Sequence, residues 1–190
     1  MQSFEAYVSQ LTPDLPDAER QAIAQITHRQ TFAKRTLLLR AGEVCTHFHY
    51  IERGLGRVFY YRNDQEITAW FGFEGQIISA IDSFFTGQVS EYWIEMLEDS
   101  QICSISNTHI EWLFAQHPAT ERLGRLMITE NYLRLDERMK LFAFHTAEER
   151  YALLLEQFPA ILQRVPLHLI ASYLGITQVT LSRIRASYRP

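Results

Sequence analysis

The sequence predicts an α+β protein: an N-terminal β-roll or jelly roll, a long central helix and a small C-terminal helix-turn-helix domain. Three observations point there. Between about Phe32 and Ile105, short β-branched and aromatic runs alternate with turn signals. Residues 119–143 then carry a helical pattern broken only by Gly124. From Pro166 onward, two amphipathic segments meet at a glycine.

Residues 3–28 read as helical. Pro16 and Asp17 suit a first turn, and Ala22, Ile23 and Ile26 form one helical face. The β texture follows in seven runs: Thr36–Leu39, His47–Ile51, Arg57–Tyr61, Ile67–Phe71, Gln76–Ala80, Tyr92–Leu97 and Gln101–Ile105. The breaks are Ala41-Gly42-Glu43, Glu52-Arg53-Gly54, Arg62-Asn63-Asp64, Glu74-Gly75 and Glu98-Asp99-Ser100. Short strands at near-regular spacing predict a sandwich, jelly roll or small barrel, whose interior can hold a small ligand. Thr108–His117 reads as a short helix that stops before Pro118.

In the long helix, Ile128, Tyr132, Leu135, Met139 and Phe142 recur at spacings of 4, 3, 4 and 3. That is an a/d stripe, which predicts a homodimer seam. The same stripe also suits a helix packed within its own subunit, since it covers only about two heptads. Leu126 and Leu133 lie on a different stripe and are expected to face the helix's own barrel. Thr146 with Glu149 has the spacing of a capping box for a helix running to about Phe158. The expected organisation is 1–118, 119–143 and 144–190.

Net charge is −4, but its distribution is uneven. Residues 157–190 hold Arg164, Arg183, Arg185 and Arg189 with no acidic residue, which leaves fourteen basic against twenty-two acidic residues before them. A basic end on an acidic body is the asymmetry expected where one end meets phosphate. Nothing approaches 18 consecutive apolar residues, and the N-terminus lacks a basic region followed by an apolar core. The expectation is a cytoplasmic protein with no membrane partner. Cys45 and Cys103 stand far apart, which argues against a disulfide scaffold or a cysteine metal site.

The most informative stretch is Pro166 to Arg185, PLHLIASYLGITQVTLSRIR. Pro166 fits a first helical turn. Ile170 and Leu174 make an inner face, and Ala171 lets a second helix cross closely. Gly175 stands where the chain must turn. Ile176 is expected to return to the core, Thr177 to cap the second helix, and Leu181 and Ile184 to face inward. A plain helical hairpin would share some of this pattern. The outer face of the second helix offers Gln178, Val179, Ser182 and Arg183. In a helix-turn-helix those positions enter the major groove, where Arg bonds guanine and Gln bonds adenine. Thr177, Thr180, Arg185 and Arg189 are better placed for phosphate.

The run IASYLGIT-x-x-TLSRIR resembles the DNA-binding helices of the Crp/Fnr family of bacterial transcription regulators, especially its compact members. The Gly42-Glu43 turn, the strand into Ile51-Glu52-x-Gly54 and a barrel followed by a long helix keep the family's order over nearly the whole chain. The resemblance implies a cyclic-nucleotide-binding-like β-roll, a dimerisation helix and a DNA-binding domain. It also implies double-stranded DNA, a second copy, a small-molecule effector and RNA polymerase as partners, with no enzymatic activity. Recognition helices of the dimer would meet half-sites about 34 Å apart. Two departures matter: Val179 stands where the family often has Glu, and the chain stops five residues after Arg185, so a wing beyond that helix is expected to be missing. The segment between Phe158 and Pro166 is also short for a strand pair.

In nucleotide-binding members a Gly-Glu pair holds the ribose and an Arg-Ser/Thr pair the cyclic phosphate. Aligned through Gly75 and Trp93, these fall on Ser79-Ala80 and Ser90-Glu91. The phosphate-binding Arg is absent, and a partly buried Glu91 would repel an anion. The expected effector is therefore not cyclic AMP. No run of cysteines marks an iron–sulfur site.

A rival pattern, Gly42-(x4)-His47-x-His49-x2-Glu52, is similar to the metal motif of cupin enzymes. Its downstream His is missing, because His109 and His117 lie in a helical stretch, so neither metal nor cofactor is expected. The aromatic strand Val58-Phe59-Tyr60-Tyr61 reads as core rather than as a base-stacking platform. A last alternative is a dimeric interaction module with a vestigial DNA motif.

Overall fold

The computed structural model describes residues 3–188. The segment expected to be one helix is two: α1 (Phe4–Leu11) and α2 (Asp17–Ile26). Pro13 and Pro16 lack the amide donor a continuing helix needs, and the Thr12 hydroxyl bonds back to Val8 O at 2.9 Å. Pro16 is the cap residue of α2, with Asp17 in its first turn. Ala22, Ile23 and Ile26 are buried, as their spacing requires.

The chain then enters β1 (His28–Phe32), one strand earlier than the pattern suggests. His28-Arg29-Gln30-Thr31 is polar and exposed, so it has no alternation to read. It is a strand because it pairs antiparallel with a later strand, from His28 opposite Ser104 to Phe32 opposite Ser100. All seven expected runs are strands: β2 (Leu37–Leu39), β3 (His47–Arg53), β4 (Gly56–Arg62), β5 (Gln65–Gly72), β6 (Ile77–Ile78), β7 (Trp93–Met96) and β8 (Ser100–Ser106). The run Gln76–Ala80 shrinks to β6 because Ser79 and Ala80 lead into α3 (Ile81–Thr86), a helix with no sequence periodicity to announce it. The strands form two four-stranded sheets, β1-β8-β3-β6 and β2-β7-β4-β5. Ile51, Leu55, Val58, Ile78, Ile94 and Ile102 have no exposed surface and form the centre of the core.

Turn chemistry holds the strands in register. Asn63 and Asp64 both take positive φ between β4 and β5, as a tight hairpin demands. Gly54 lies at φ 105°, and a Cβ there would clash with Ser100 Oγ. Glu52, buried on β3, accepts from the Phe4 amide at 3.0 Å and pairs with Arg29 at 3.2 Å. A carboxylate at the first turn of α1 complements the helix dipole and docks the helix on the sheet.

After β8 come α4 (Asn107–Gln116), capped by Ser106 Oγ, a 3-10 turn at Pro118–Thr120, and α5 (Glu121–Phe144). Leu123 and Met127 are the buried residues of α5. Leu126 is only half-buried and Leu133 is exposed, so neither is the barrel-facing stripe expected of them. The inward face is set instead by Gly124, where a Cβ would stand 2.5 Å from the Phe114 ring. Tyr7 Oη donates to Glu130 at 2.6 Å, and Arg122 pairs with Asp14 at 2.9 Å.

The chain divides into two compact units. One contains residues up to Val58 together with Phe71–Asn131; the other contains Phe59–Trp70 together with residues from Tyr132 onward. The second unit adds α6 (Ala147–Gln157), α7 (Ile161–Arg164), α8 (Leu167–Leu174) and α9 (Gln178–Ser187). The Thr146 capping box forms: Thr146 Oγ1 accepts from the Glu149 amide at 3.2 Å, and Glu149 accepts from the Thr146 amide at 2.8 Å. That backbone bond holds the Glu149 carboxyl below its ordinary pKa. The short segment before Pro166 is the helix α7.

Two outcomes follow. Gly54→Ala should lose at least ~1–2 kcal/mol of stability in urea denaturation, from positive φ plus the Ser100 clash. His49 Nδ1 lies 2.7 Å from Ser104 Oγ, and burial, with His47 nearby, pulls its pKa from 6.5 down to about 4. The unfolded chain therefore takes up a proton at this site between pH 6.5 and about 4 that the folded chain refuses, so stability rises with pH across that window. Unfolding of His49→Gln at pH 5 and 7.5 should show a flatter slope than the parent chain.

Candidate nucleic-acid interface

The helices α8 and α9 are joined by three residues, Gly175 to Thr177. Gly175 takes φ 68°, its amide bonds Ser172 O at 3.1 Å, and the Ile176 amide bonds Ala171 O at 3.0 Å. This paired closure with a left-handed residue is a Schellman motif. Thr177 Oγ1 accepts from the Thr180 amide at 3.1 Å and starts α9. Ile170, Ala171 and Leu174 are buried against the turn, as are Leu181 and Ile184 of α9. Ile176, expected in the core, is half-buried, because the motif leaves it at the end of the turn.

The inward anchoring of α9 leaves its other side free. Gln178, Val179, Ser182, Arg183 and Arg185 are exposed, Val179 at 62%. Thr180 is half-buried, and its hydroxyl lies 3.0 Å from Thr177 Oγ1, so both threonines serve the helix start. Arg189 lies outside the described residues.

Two arginines that the motif does not point to complete the end of α8. A helix leaves its last four carbonyls without partners in the helix. Ala171 O and Ser172 O are met by the turn amides; Tyr173 O accepts from Arg138 and Leu174 O from Arg150 at 3.1 Å. The Arg138 guanidinium lies 3.6 Å from the Tyr173 ring centre and 4.4 Å from that of Phe142, and donates to Ala69 O at 3.2 Å. Burial lowers the Arg138 pKa and raises that of Tyr173, and the attraction between the two opposes both shifts. Ser172 Oγ bridges to β5, donating to Glu66 O at 3.0 Å and accepting from the Thr68 amide at 2.9 Å.

Along α5, Ile128, Tyr132, Leu135, Met139 and Phe142 are all exposed, Tyr132 and Met139 by about two thirds (67% and 64%). Phe142 has a second role within its unit: its ring would lie 2.8 Å from a Cβ on Gly175.

The four cassette positions are placed differently from one another. Ser79, Ala80 and Ser90 are buried. Ser79 Oγ lies 3.3 Å from both Cys45 Sγ and His47 O, and Ser90 Oγ accepts from the Tyr92 amide at 2.9 Å. Ala80 is the cap residue of α3. Glu91 is exposed, not partly buried as expected, so solvent screens its charge. Glu52 turns toward Phe4 and Arg29 and does not join His47 and His49, since it follows Phe48 and Tyr50 on the side of β3 that packs on α1. Among the described residues, no group of three or more His, Cys, Asp or Glu is arranged to hold a metal ion. Cys103 is buried, which raises its thiol pKa to about 12.

Residues 29–117 match the cyclic nucleotide-binding domain family. The global regulator CLP of Xanthomonas campestris, described as responsive to c-di-GMP, superposes with TM-score 0.71 at 16% identity over 90% of each chain. FixK2 of Bradyrhizobium japonicum superposes with TM-score 0.68 at 17% identity, over 85% of this chain and 83% of that one. A transcriptional regulator assigned to the Crp/Fnr family, from Eubacterium rectale, gives TM-score 0.66 at 18% identity, over 92% and 83%. The chain has a Crp/Fnr-like fold.

A search of the curated proteins found no match. None of the described helices is long and apolar enough to cross a membrane. In this Crp/Fnr-like fold the α8 turn is sensitive to substitution. Gly175→Ala should cost about 1–2 kcal/mol, from the left-handed backbone and the Phe142 contact, and Arg138→Met about 2–3 kcal/mol, from carbonyls left without a donor. Denaturation of each variant, with hydrogen exchange of the α8 amides, measures both.

Proposed function

We propose that this chain is a dimeric, sequence-specific DNA-binding transcription regulator that carries out no catalysis and answers to an effector other than cyclic AMP. The observation that carries the reading is α9: Leu181 and Ile184 anchor one side while Gln178, Val179, Ser182 and Arg183 stand exposed at its first turns, directly after a Schellman turn. Arg183 bonds a guanine edge, Gln178 an adenine edge, and Val179 meets a thymine methyl. Thr177, Thr180 and Arg185 are assigned to phosphate, as is Arg189 from the sequence alone, and position the helix without reading bases.

The dimer forms along α5. Ile128, Tyr132, Leu135, Met139 and Phe142 make an exposed apolar stripe at a/d spacing, and burying it against a second copy removes that stripe from water. Residues 1–118 then sense, 119–143 dimerise and 144–190 bind DNA. An effector that prefers one dimer geometry shifts the population competent for DNA. Cyclic AMP is a poor candidate for that role. The hydroxyls of Ser79 and Ser90 already bond within the chain, Ala80 has no polar group, and Glu91 is a carboxylate where a cation is needed.

The test is binding to the duplex upstream of the protein's own gene against a scrambled duplex at two salt concentrations. Arg183→Ala should lose about 1–3 kcal/mol and relax the preference at one base pair. Arg185→Ala should weaken binding to both duplexes and lower the salt slope by about 1. Tyr132→Glu with Met139→Glu should sediment as a monomer and lose affinity. Titration calorimetry with cyclic AMP should give no binding heat; micromolar binding would refute this assignment of the cassette.

A further inference from the structure

We propose that the apolar cavity between the β1-β8-β3-β6 sheet and the surrounding helices binds an uncharged hydrophobic small molecule, about the size of an alkylated benzene, and that this molecule is the effector. The second half of that statement rests on the dimeric-regulator reading; the first half does not. The cavity has a volume of about 240 Å³ and is open to solvent on one side. Its walls include Phe48 on β3, Ile105 on β8, Phe84 on α3, Leu113 on α4, and Leu123 and Met127 on α5.

Size and chemistry select the occupant. Packed interiors hold few voids larger than a water molecule. An engineered cavity of about 150 Å³ lined by Leu, Ile and Phe stays dry and takes benzene. This one is larger and has walls of the same kind, so a benzene ring carrying a short alkyl chain fits it. The polar residues at its border are Arg125, which is exposed, and Asn131, whose side-chain amide donates to Met127 O at 2.8 Å. A nucleotide phosphate would find no buried cation here. None of Ser79, Ala80, Ser90 or Glu91 lines the cavity, although α3, which starts directly after Ala80, supplies Ile81, Phe84 and Phe85 to it.

The cavity has a mouth. Ile81 and Phe85 of α3 and Ile128 of α5 line the cavity and reach solvent, at 38%, 51% and 43% exposure. Ile128 is the first residue of the proposed dimer seam. An occupant therefore touches a side chain that a second copy would cover, which is how binding in the first unit biases the pairing of α5 helices.

The experiment titrates the full chain, methyl-labelled at Ile, Leu and Met, with n-butylbenzene and follows the methyl spectrum. Saturable shifts are expected at Ile105, Leu113 and Met127 and none at Ile94, which does not line the cavity. Leu113→Trp fills the wall and should weaken binding at least tenfold. Ile81→Trp, at a position already open to solvent, should do the same if the first variant does not fold. No saturable shift, or shifts that persist in the folded variants, overturns the site and leaves the regulator reading standing. In the same preparation, n-butylbenzene should change affinity for the upstream duplex at least threefold, and not in Ile81→Trp. Saturable methyl shifts with unchanged DNA affinity overturn the effector role alone. Saturable shifts with no DNA binding in any state overturn the regulator reading and leave the site.

Discussion

The candidate interface depends on one half-buried cation. Arg138 sits against the rings of Tyr173 and Phe142 and donates to Tyr173 O and Ala69 O. With Arg150 on Leu174 O and two turn amides on Ala171 O and Ser172 O, every one of the last four carbonyls of α8 has a donor. Taking a guanidinium out of water is costly unless hydrogen bonds and favourable ring faces replace the lost solvation; Nε and Nη2 have carbonyl acceptors and the rings cover the plane, while Nη1 is buried without a hydrogen-bond partner. The negative end of the α8 dipole adds to the attraction. Burial lowers the Arg138 pKa from an ordinary value so high that the group stays charged at neutral pH. The exit angle of Gly175, and with it the start of α9, follows from this closure.

The first unit solves a related problem with opposite charge. Glu52 is buried, and its carboxylate is satisfied by the Phe4 amide and Arg29. The bond docks α1 across β3, where Phe4 and Tyr7 pack on Tyr50 with ring centres 5.3 and 5.0 Å apart. The same helix supplies Phe4 to the wall of the apolar cavity. Tight aromatic packing and a void of about 240 Å³ thus share one layer, with Gly124 admitting the Phe114 ring at its edge.

Much of the fold was legible. The seven expected strands are present because alternation and turn residues are local properties. The Thr146 box, the Gly175 turn and the Thr177 cap each rest on contacts within a few residues, and all three form. The misreadings have a common cause. The polar strand β1 exists through its pairing with β8. Leu126 and Leu133 gave way to Leu123 and Met127 because Phe114 packs at Gly124. Each outcome is decided by a partner far along the chain, which periodicity cannot supply.

The candidate site divides in the same way. The residues exposed on α9 and along α5 could be named from spacing alone, because a helix of known phase has a known outer face. By itself the sequence determined seven of the strands, the turn between α8 and α9, and the apolar side of α2, α8 and α9. Only the tertiary structure decided that Arg138 and Arg150 close α8, that Glu91 is exposed, and that an apolar cavity lies against α5. The physical reason is range: caps, turns and amphipathic faces are written in neighbours a few residues apart, whereas burial, carbonyl satisfaction and empty volume are set by segments that meet in space.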